Sequence, residues 1–282
     1  MQHQEGNIVT SGGMCLYYQS WHPNGAARGI LAIVHGLGGH SGLYGNIVNQ
    51  LILKDFAIYT VDLRGHGKST GQRGYINSWD EYRDDVSNFL KFIASQNPEI
   101  PIFLLGHSLG GLIVLDYVLH SAGDIEKQAK IKGLINLTPA LGEPGVPLIK
   151  LLLGKFLSRI YPRFSLDTGI DLSLASRDPE VVKIYAQDPL RHTMGTARLS
   201  TEFFRTLAWV KEHASELDIP FLMVIAGGDK VTFPEDSRAF FQQLSLSDKE
   251  LQEYPESYHC IQDDLNYKEV LGNLEDWLER HI

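Results

Sequence analysis

Five short apolar runs punctuate the chain, at residues 29–34, 56–62, 102–106, 133–138 and 221–226. They are apolar almost throughout rather than alternating. That pattern predicts strands buried on both faces, the condition of a parallel sheet. Two less apolar runs, 14–19 and 249–254, predict flanking strands. Between them Trp79, Tyr82, Val86, Phe89/Leu90 and Ile93 recur at helical spacing, with Ser78 and Glu81 spaced as a capping box. Val270/Leu271, Leu274 and Trp277/Leu278 predict a C-terminal helix. Strands alternating with helices predict an α/β fold with a mostly parallel central sheet flanked by helices.

One interval breaks the rhythm. About eighty residues separate Thr138 from Phe221, whereas a whole βαβ unit needs only ~30. The excess predicts an inserted helical cap over residues 140–217, hung above the carboxyl ends of the strands. Residues 1–139 and 218–282 then form the core domain.

Composition narrows the function. With 43% hydrophobic and 21% charged residues the chain can bury a sizeable core. Its formal charge, 25 − 34 = −9, and the lack of any Lys/Arg run argue against a nucleic-acid partner. No stretch approaches the ~20 apolar residues of a membrane span, and Met1-Gln-His-Gln-Glu5 lacks the basic and apolar parts of a secretory leader. Cys15 and Cys260 lie near opposite ends, so no disulfide framework is expected and cytoplasmic residence is. Nothing in the pattern sets an oligomeric state.

The chemistry concentrates in Gly106-His107-Ser108-Leu109-Gly110. This G-x-S-x-G run lies between an expected strand and an expected helix, where a sharp turn projects the serine and glycines avoid clashes. A serine hydroxyl needs a base to take its proton, and the base needs an orienting acid. In the α/β-hydrolase fold they follow in the order serine, acid, histidine. Asp229 stands after the run 221–226, and His259 after the last strand candidate. Asp62 precedes the serine, Asp263 and Asp264 follow the histidine, and His213 and His281 fall in helices. The expected triad is therefore Ser108, Asp229 and His259. The oxyanion of the intermediate calls for backbone donors. These are expected at Leu109, after the nucleophile, and at Leu37 in His35-Gly-Leu-Gly-Gly39.

Other signals are set aside. Gly67-Lys68-Ser69 resembles the end of a phosphate loop, but position 62, where such a loop needs glycine, is Asp. No histidine pairing suits zinc and no dinucleotide fingerprint opens a helix, so neither metal nor cofactor is expected. Cys260 reads as a small buried hydrophobe.

Over most of its length the chain resembles the monoacylglycerol lipase and lysophospholipase family of α/β-hydrolases. The resemblance rests on His35-Gly-Leu-Gly-Gly-His-Ser-Gly42, Asp62-Leu-Arg-Gly-His-Gly-Lys-Ser69, Gly106-His-Ser-Leu-Gly-Gly111, Leu174-Ala-Ser-Arg-Asp178 and Tyr185-Ala-Gln-Asp-Pro-Leu190. It implies a serine esterase acting on single-chain lipid esters under a mobile cap, with Tyr185 near the substrate and His107 a glycerol contact. The chain departs from the family at Gly39 and Leu43, commonly Glu and Arg, and at Leu37, often Ala.

The cap itself suggests an apolar substrate. Residues 148–160 are apolar at eight of thirteen positions, more than one packing face needs. Leu152 and Phe156 are expected to line the acyl site, with Lys150, Lys155 and Arg159 at a membrane surface touched in passing. A helix buried between cap and core has the same composition. The leading expectation is hydrolysis of monoesters such as monoacylglycerol. Lysophospholipase, thioesterase or small-ester chemistry on the same triad stands second. Ser108 argues against dehalogenase or epoxide hydrolase chemistry, which needs Asp at the elbow, and an intact triad argues against a catalytically dead binding module.

Overall fold

The computed structural model describes residues 1–10, 12–121, 131–142 and 148–282, apart from the side chains of Leu148, Lys150 and Leu151. Among these, eight strands form one sheet, in the order β1-β2-β4-β3-β5-β6-β9-β10. Its parallel part comprises β3 (Gly29–Val34), β4 (Phe56–Val61), β5 (Ile102–His107), β6 (Ile131–Leu137), β9 (Phe221–Ala226) and β10 (Lys249–Tyr254). Four of these, β3, β4, β5 and β9, are buried at every position, as unbroken apolar runs require. Helices α1 (Gly45–Leu51) and α8 (Tyr267–His281) share one apolar cluster with sheet residues. Helices α2 (Asp80–Gln96) and α3 (Leu109–His120) belong to the other.

One strand was not expected, and one expectation needs correction. β1 (Gln2–Val9) pairs antiparallel with β2 (Cys15–His22), but Gln-His-Gln-Glu-Gly-Asn-Ile-Val carries no strand pattern. An edge strand held on one side and largely exposed has no need of one. The capping box does not form either. The N-cap of α2 is Trp79, and Glu81 accepts the Asn77 N–H (2.7 Å) while meeting Arg64 at 3.0 Å. The Trp79 N–H is taken instead by Glu202, from the segment between β6 and β9 (3.0 Å).

That segment contains α4 (Leu148–Ile160), α5 (Pro179–Gln187) and α6 (Ala197–Glu212). It is not wholly helical: β7 (Ser165–Asp167) and β8 (Met194–Thr196) form an antiparallel ribbon. Residues 143–147 of the expected cap lie outside the described residues. No helix among the described residues is long and apolar enough to cross a membrane.

Candidate active site

Ser108 sits at the junction of β5 and α3 with φ 56° and ψ −120°. A non-glycine residue at positive φ is strained, and here hydrogen bonds hold it. Its N–H donates to Leu137 O (3.1 Å), and its carbonyl accepts from Gly111 and Ala140 (both 2.9 Å). Glycines make the turn possible. A Cβ at Gly36 would lie 2.7 Å from Ser108 Cβ, one at Gly106 2.4 Å from Gly110 O, and one at Gly110 2.1 Å from Val34 O. Gly110→Ala must therefore displace backbone, and we expect it to lower unfolding stability by about 3 kcal/mol, measured by urea denaturation. An unchanged midpoint would contradict this packing.

His259 Nδ1 donates to Asp229 Oδ2 at 2.7 Å, which leaves Nε2 as the proton acceptor. Asp229 also accepts the Val231 N–H (2.6 Å), the Thr232 N–H (3.2 Å) and the Thr232 hydroxyl (2.7 Å). Burial would raise its carboxyl. His259 and these donors outweigh burial and hold it at about 2. Ser108 and His259 line one cavity. The His259 ring bonds to Asp229, and no direct hydrogen bond joins it to Ser108.

Among the described residues, neither the Leu37 nor the Leu109 N–H has a protein acceptor. Leu109 opens α3, at the positive end of the helix dipole. The loop carrying Leu37 is braced by His35, whose Nδ1–H donates to Gly36 O (2.7 Å) and whose Nε2 accepts the Leu63 N–H (2.9 Å). Burial pushes the His35 imidazole down to about 3, so it remains neutral in this role.

The cavity is small, about 50 Å³, room for about four waters. Leu37, Gly39, Leu43, Leu172 and Ala175 are among its lining residues, so the family departures at positions 37, 39 and 43 face the site. His107 lines it and is neutral, burial having lowered it to about 3; its Nε2–H donates to the His259 carbonyl (3.3 Å). Tyr185 lines it with its hydroxyl donated to Asp263, and Arg191 lies 4.1 Å over its ring. Cys260 also lines it, but burial pushes the thiol up to about 12, so it carries no thiolate at neutral pH. Leu152 and Phe156 must be corrected. They are not on the cavity wall but 53% and 57% exposed, because α4 turns that face to solvent. No group of His, Cys, Asp or Glu among the described residues is arranged to hold a metal ion.

Residues without a role in the sequence reading hold the site together. Leu174 O accepts the His259 N–H (3.4 Å) and Ala175 O the Cys260 N–H (2.7 Å). Arg177 pairs with Asp264 (2.9 Å), which accepts the Tyr258 N–H (2.7 Å). The 174–178 motif thus braces the histidine loop, largely through backbone carbonyls that no side-chain pattern reveals. Asp62, set aside as a catalytic acid, accepts the Ser41 N–H (2.6 Å) and the Lys68 N–H (2.7 Å) as the anchor of a turn.

The chain matches the serine aminopeptidase S33 family over residues 25–266. It is 28% identical over 282 residues to a monoacylglycerol lipase of Mycolicibacterium smegmatis, covering 99% of this chain and 98% of that protein. An abhydrolase-domain protein of Dictyostelium discoideum is 30% identical over 289 residues, and the chain spans only 30% of that longer protein. A crystal structure of a Paleococcus ferrophilus monoacylglycerol lipase superposes with a TM-score of 0.83 at 35% identity, covering 95% of this chain and 99% of that one. With this match and these full-length likenesses, the chain belongs to the serine aminopeptidase S33 family of α/β-hydrolases and groups there with the monoacylglycerol lipases.

Proposed function

We propose that the chain hydrolyses carboxylic esters of single-chain lipids such as monoacylglycerol, through an acyl-enzyme on Ser108. The observation that carries this reading is the His259 Nδ1–H···Asp229 bond in the cavity shared with Ser108. Ser108 Oγ attacks the ester carbonyl carbon while His259 Nε2 takes its proton. The carbonyl oxygen, now negative, is held by the Leu37 and Leu109 N–H groups. Collapse breaks the bond to the alcohol, which leaves with the proton from His259. Water repeats the attack and releases the fatty acid. Ionised Asp229 stabilises the imidazolium in both halves.

Two lipase names among the full-length relatives support the substrate class. So does the apolar lining of Leu37, Leu43, Ile170, Leu172 and Val231. A long acyl chain needs more room than this cavity of about 50 Å³, which Ile170 and Leu172 of the cap help to line. The apolar stripe of α4, Ile149, Leu152, Leu153, Phe156 and Ile160, lies exposed at helical spacing. We read it as the face that touches a lipid surface, with Lys155 and Arg159 beside it. The free state of both cysteines supports a cytoplasmic setting, and residues 140–217 act as the cap on a core of 1–139 and 218–282.

A series of p-nitrophenyl esters tests the substrate class. Octanoyl has six methylenes more than acetyl, and burying four of them contributes ~3 kcal/mol, about a hundredfold in kcat/KM. We therefore expect kcat/KM to rise from acetyl to octanoyl esters. A preference for acetyl would turn the assignment to small esters. Leu152→Asp and Phe156→Asp should weaken vesicle binding and leave acetyl-ester turnover unchanged; unaltered binding would remove the membrane role of α4.

A further inference from the structure

The loop that carries Leu37 is gripped from the cap at two points. His40 Nε2 lies 2.7 Å from Asp188 Oδ2, and both residues are largely buried. The His192 N–H donates to Gly38 O (3.2 Å), and the His192 carbonyl would lie 1.7 Å from a Cβ at Gly38, whose φ is +69°. Both contacts lie just after Leu37 in sequence, one residue and three residues beyond it. Both come from one short stretch of cap that follows α5 and is itself folded tightly. Asp188 Oδ1 accepts the Leu190 N–H (2.9 Å), and Asp188 O accepts the Arg191 N–H (3.2 Å).

The bond pattern also orients His40. Its Nδ1 accepts the Gly42 N–H (3.1 Å), so the proton on Nε2 is the one donated to Asp188. The imidazole therefore bridges the loop backbone on one side and the cap carboxylate on the other. The carboxylate itself is held below its usual range. Burial raises it, and the bond to His40 and the Leu190 N–H outweigh that. On the core side, the Ser41 N–H donates to Asp62 (2.6 Å). The stretch after Leu37 is thus tied to both the core and the cap, and Leu37 itself sits in a tight turn in which the Gly39 N–H donates to Gly36 O (3.0 Å).

We propose that Asp188 is a positioning residue of the reaction: acting through His40, it aligns the Leu37 N–H, so that the oxyanion hole is complete only while this cap stretch is seated. The proposal rests on Leu37 serving as an oxyanion donor. It gives the Tyr185-Ala-Gln-Asp-Pro-Leu190 motif a task besides covering the substrate. It also couples the cap to the reaction, since seating of this stretch and completion of the donor set are one event. Removing a single oxyanion donor outright costs about 10²–10³ in kcat. Releasing one end of the loop that holds such a donor costs less, so a loss of about 10–100-fold is expected.

The test is a double-mutant cycle of Asp188→Ala, His40→Ala and the pair, read on the full chain with three measurements. These are kcat and KM for an octanoyl ester, the affinity of an octyl trifluoromethyl ketone, and the affinity of the matching ether. Serine adds to the ketone to give an oxyanion that needs the donors. The ether has no carbonyl and reports only on the pocket. We expect each single variant to lose about 10–100-fold in kcat, and the ketone to lose affinity by the same factor. KM and ether affinity should stay within about threefold, and the pair should be no worse than the more damaged single. Asp188→Glu should recover part of the loss. Losses that multiply in the pair, a loss confined to KM and the ether, or wild-type kcat in Asp188→Ala would each overturn the proposal. If Asp188→Ala does not fold, Asp188→Asn carries the same measurements. Failure of the underlying mechanism looks different: wild type itself would then bind ketone and ether alike.

Discussion

We expect Ser108→Ala to lower kcat by on the order of 10⁴–10⁶ with the fold intact. The size follows from what the hydroxyl does. Without Oγ there is no covalent intermediate, and His259 has no proton to take. Only the donor groups and substrate binding remain to favour attack by water. The substitution is gentle on structure, since the strained backbone at position 108 is held by bonds from its N–H and carbonyl, which alanine keeps. Far-ultraviolet circular dichroism and the urea midpoint should match wild type. More than a tenth of wild-type activity in the variant would mean that another group attacks the ester.

We expect Asp229→Asn to lower kcat by about 10⁴. The carboxylate accepts four hydrogen bonds, from His259, Val231 N–H and both donors of Thr232. With the carboxyl held at about 2, it is ionised throughout the working range. Asparagine offers one oxygen for this set, and an amide N–H aimed at the imidazole would select the tautomer with its proton on Nε2. The base would then face Ser108 already protonated. The same carboxylate has a signature in stability. Its folded value lies below the ordinary ~3.9, so its contribution is present above that pH and is lost as pH falls toward 2. The variant should lack this part of the acid unfolding profile. A fall in kcat below about tenfold would contradict the orienting role.

The buried strands were legible in the sequence because burial on both faces demands continuous apolar runs, and β3 and β9 run over the residues expected of them. The elbow was legible because its geometry tolerates only glycine at Gly106 and Gly110. The order of acid and histidine followed from where strands end. Edge strand β1 was not legible, since exposed pairing through backbone groups asks little of side chains. The start of α2 was misread because Glu81 is drawn to Arg64 and because Glu202, over a hundred residues away, caps the helix. α4 was found with its bounds, yet which side it faces depends on tertiary packing, and apolar content alone gave Leu152 and Phe156 to the acyl site when they face solvent. The bracing of His259 by Leu174 O was hidden for another reason. A carbonyl is common to every residue, and only the fold decides which one is used.

A covalent acyl-enzyme on Ser108 is open to direct detection by rapid-quench mass spectrometry during turnover of an octanoyl ester. We expect a transient population heavier by one octanoyl group in place of a proton, with the group mapped to the peptide containing Ser108 and absent from Ser108→Ala. Turnover without any acylated protein, or an octanoyl group on a different residue that forms and decays at the catalytic rate, would contradict it.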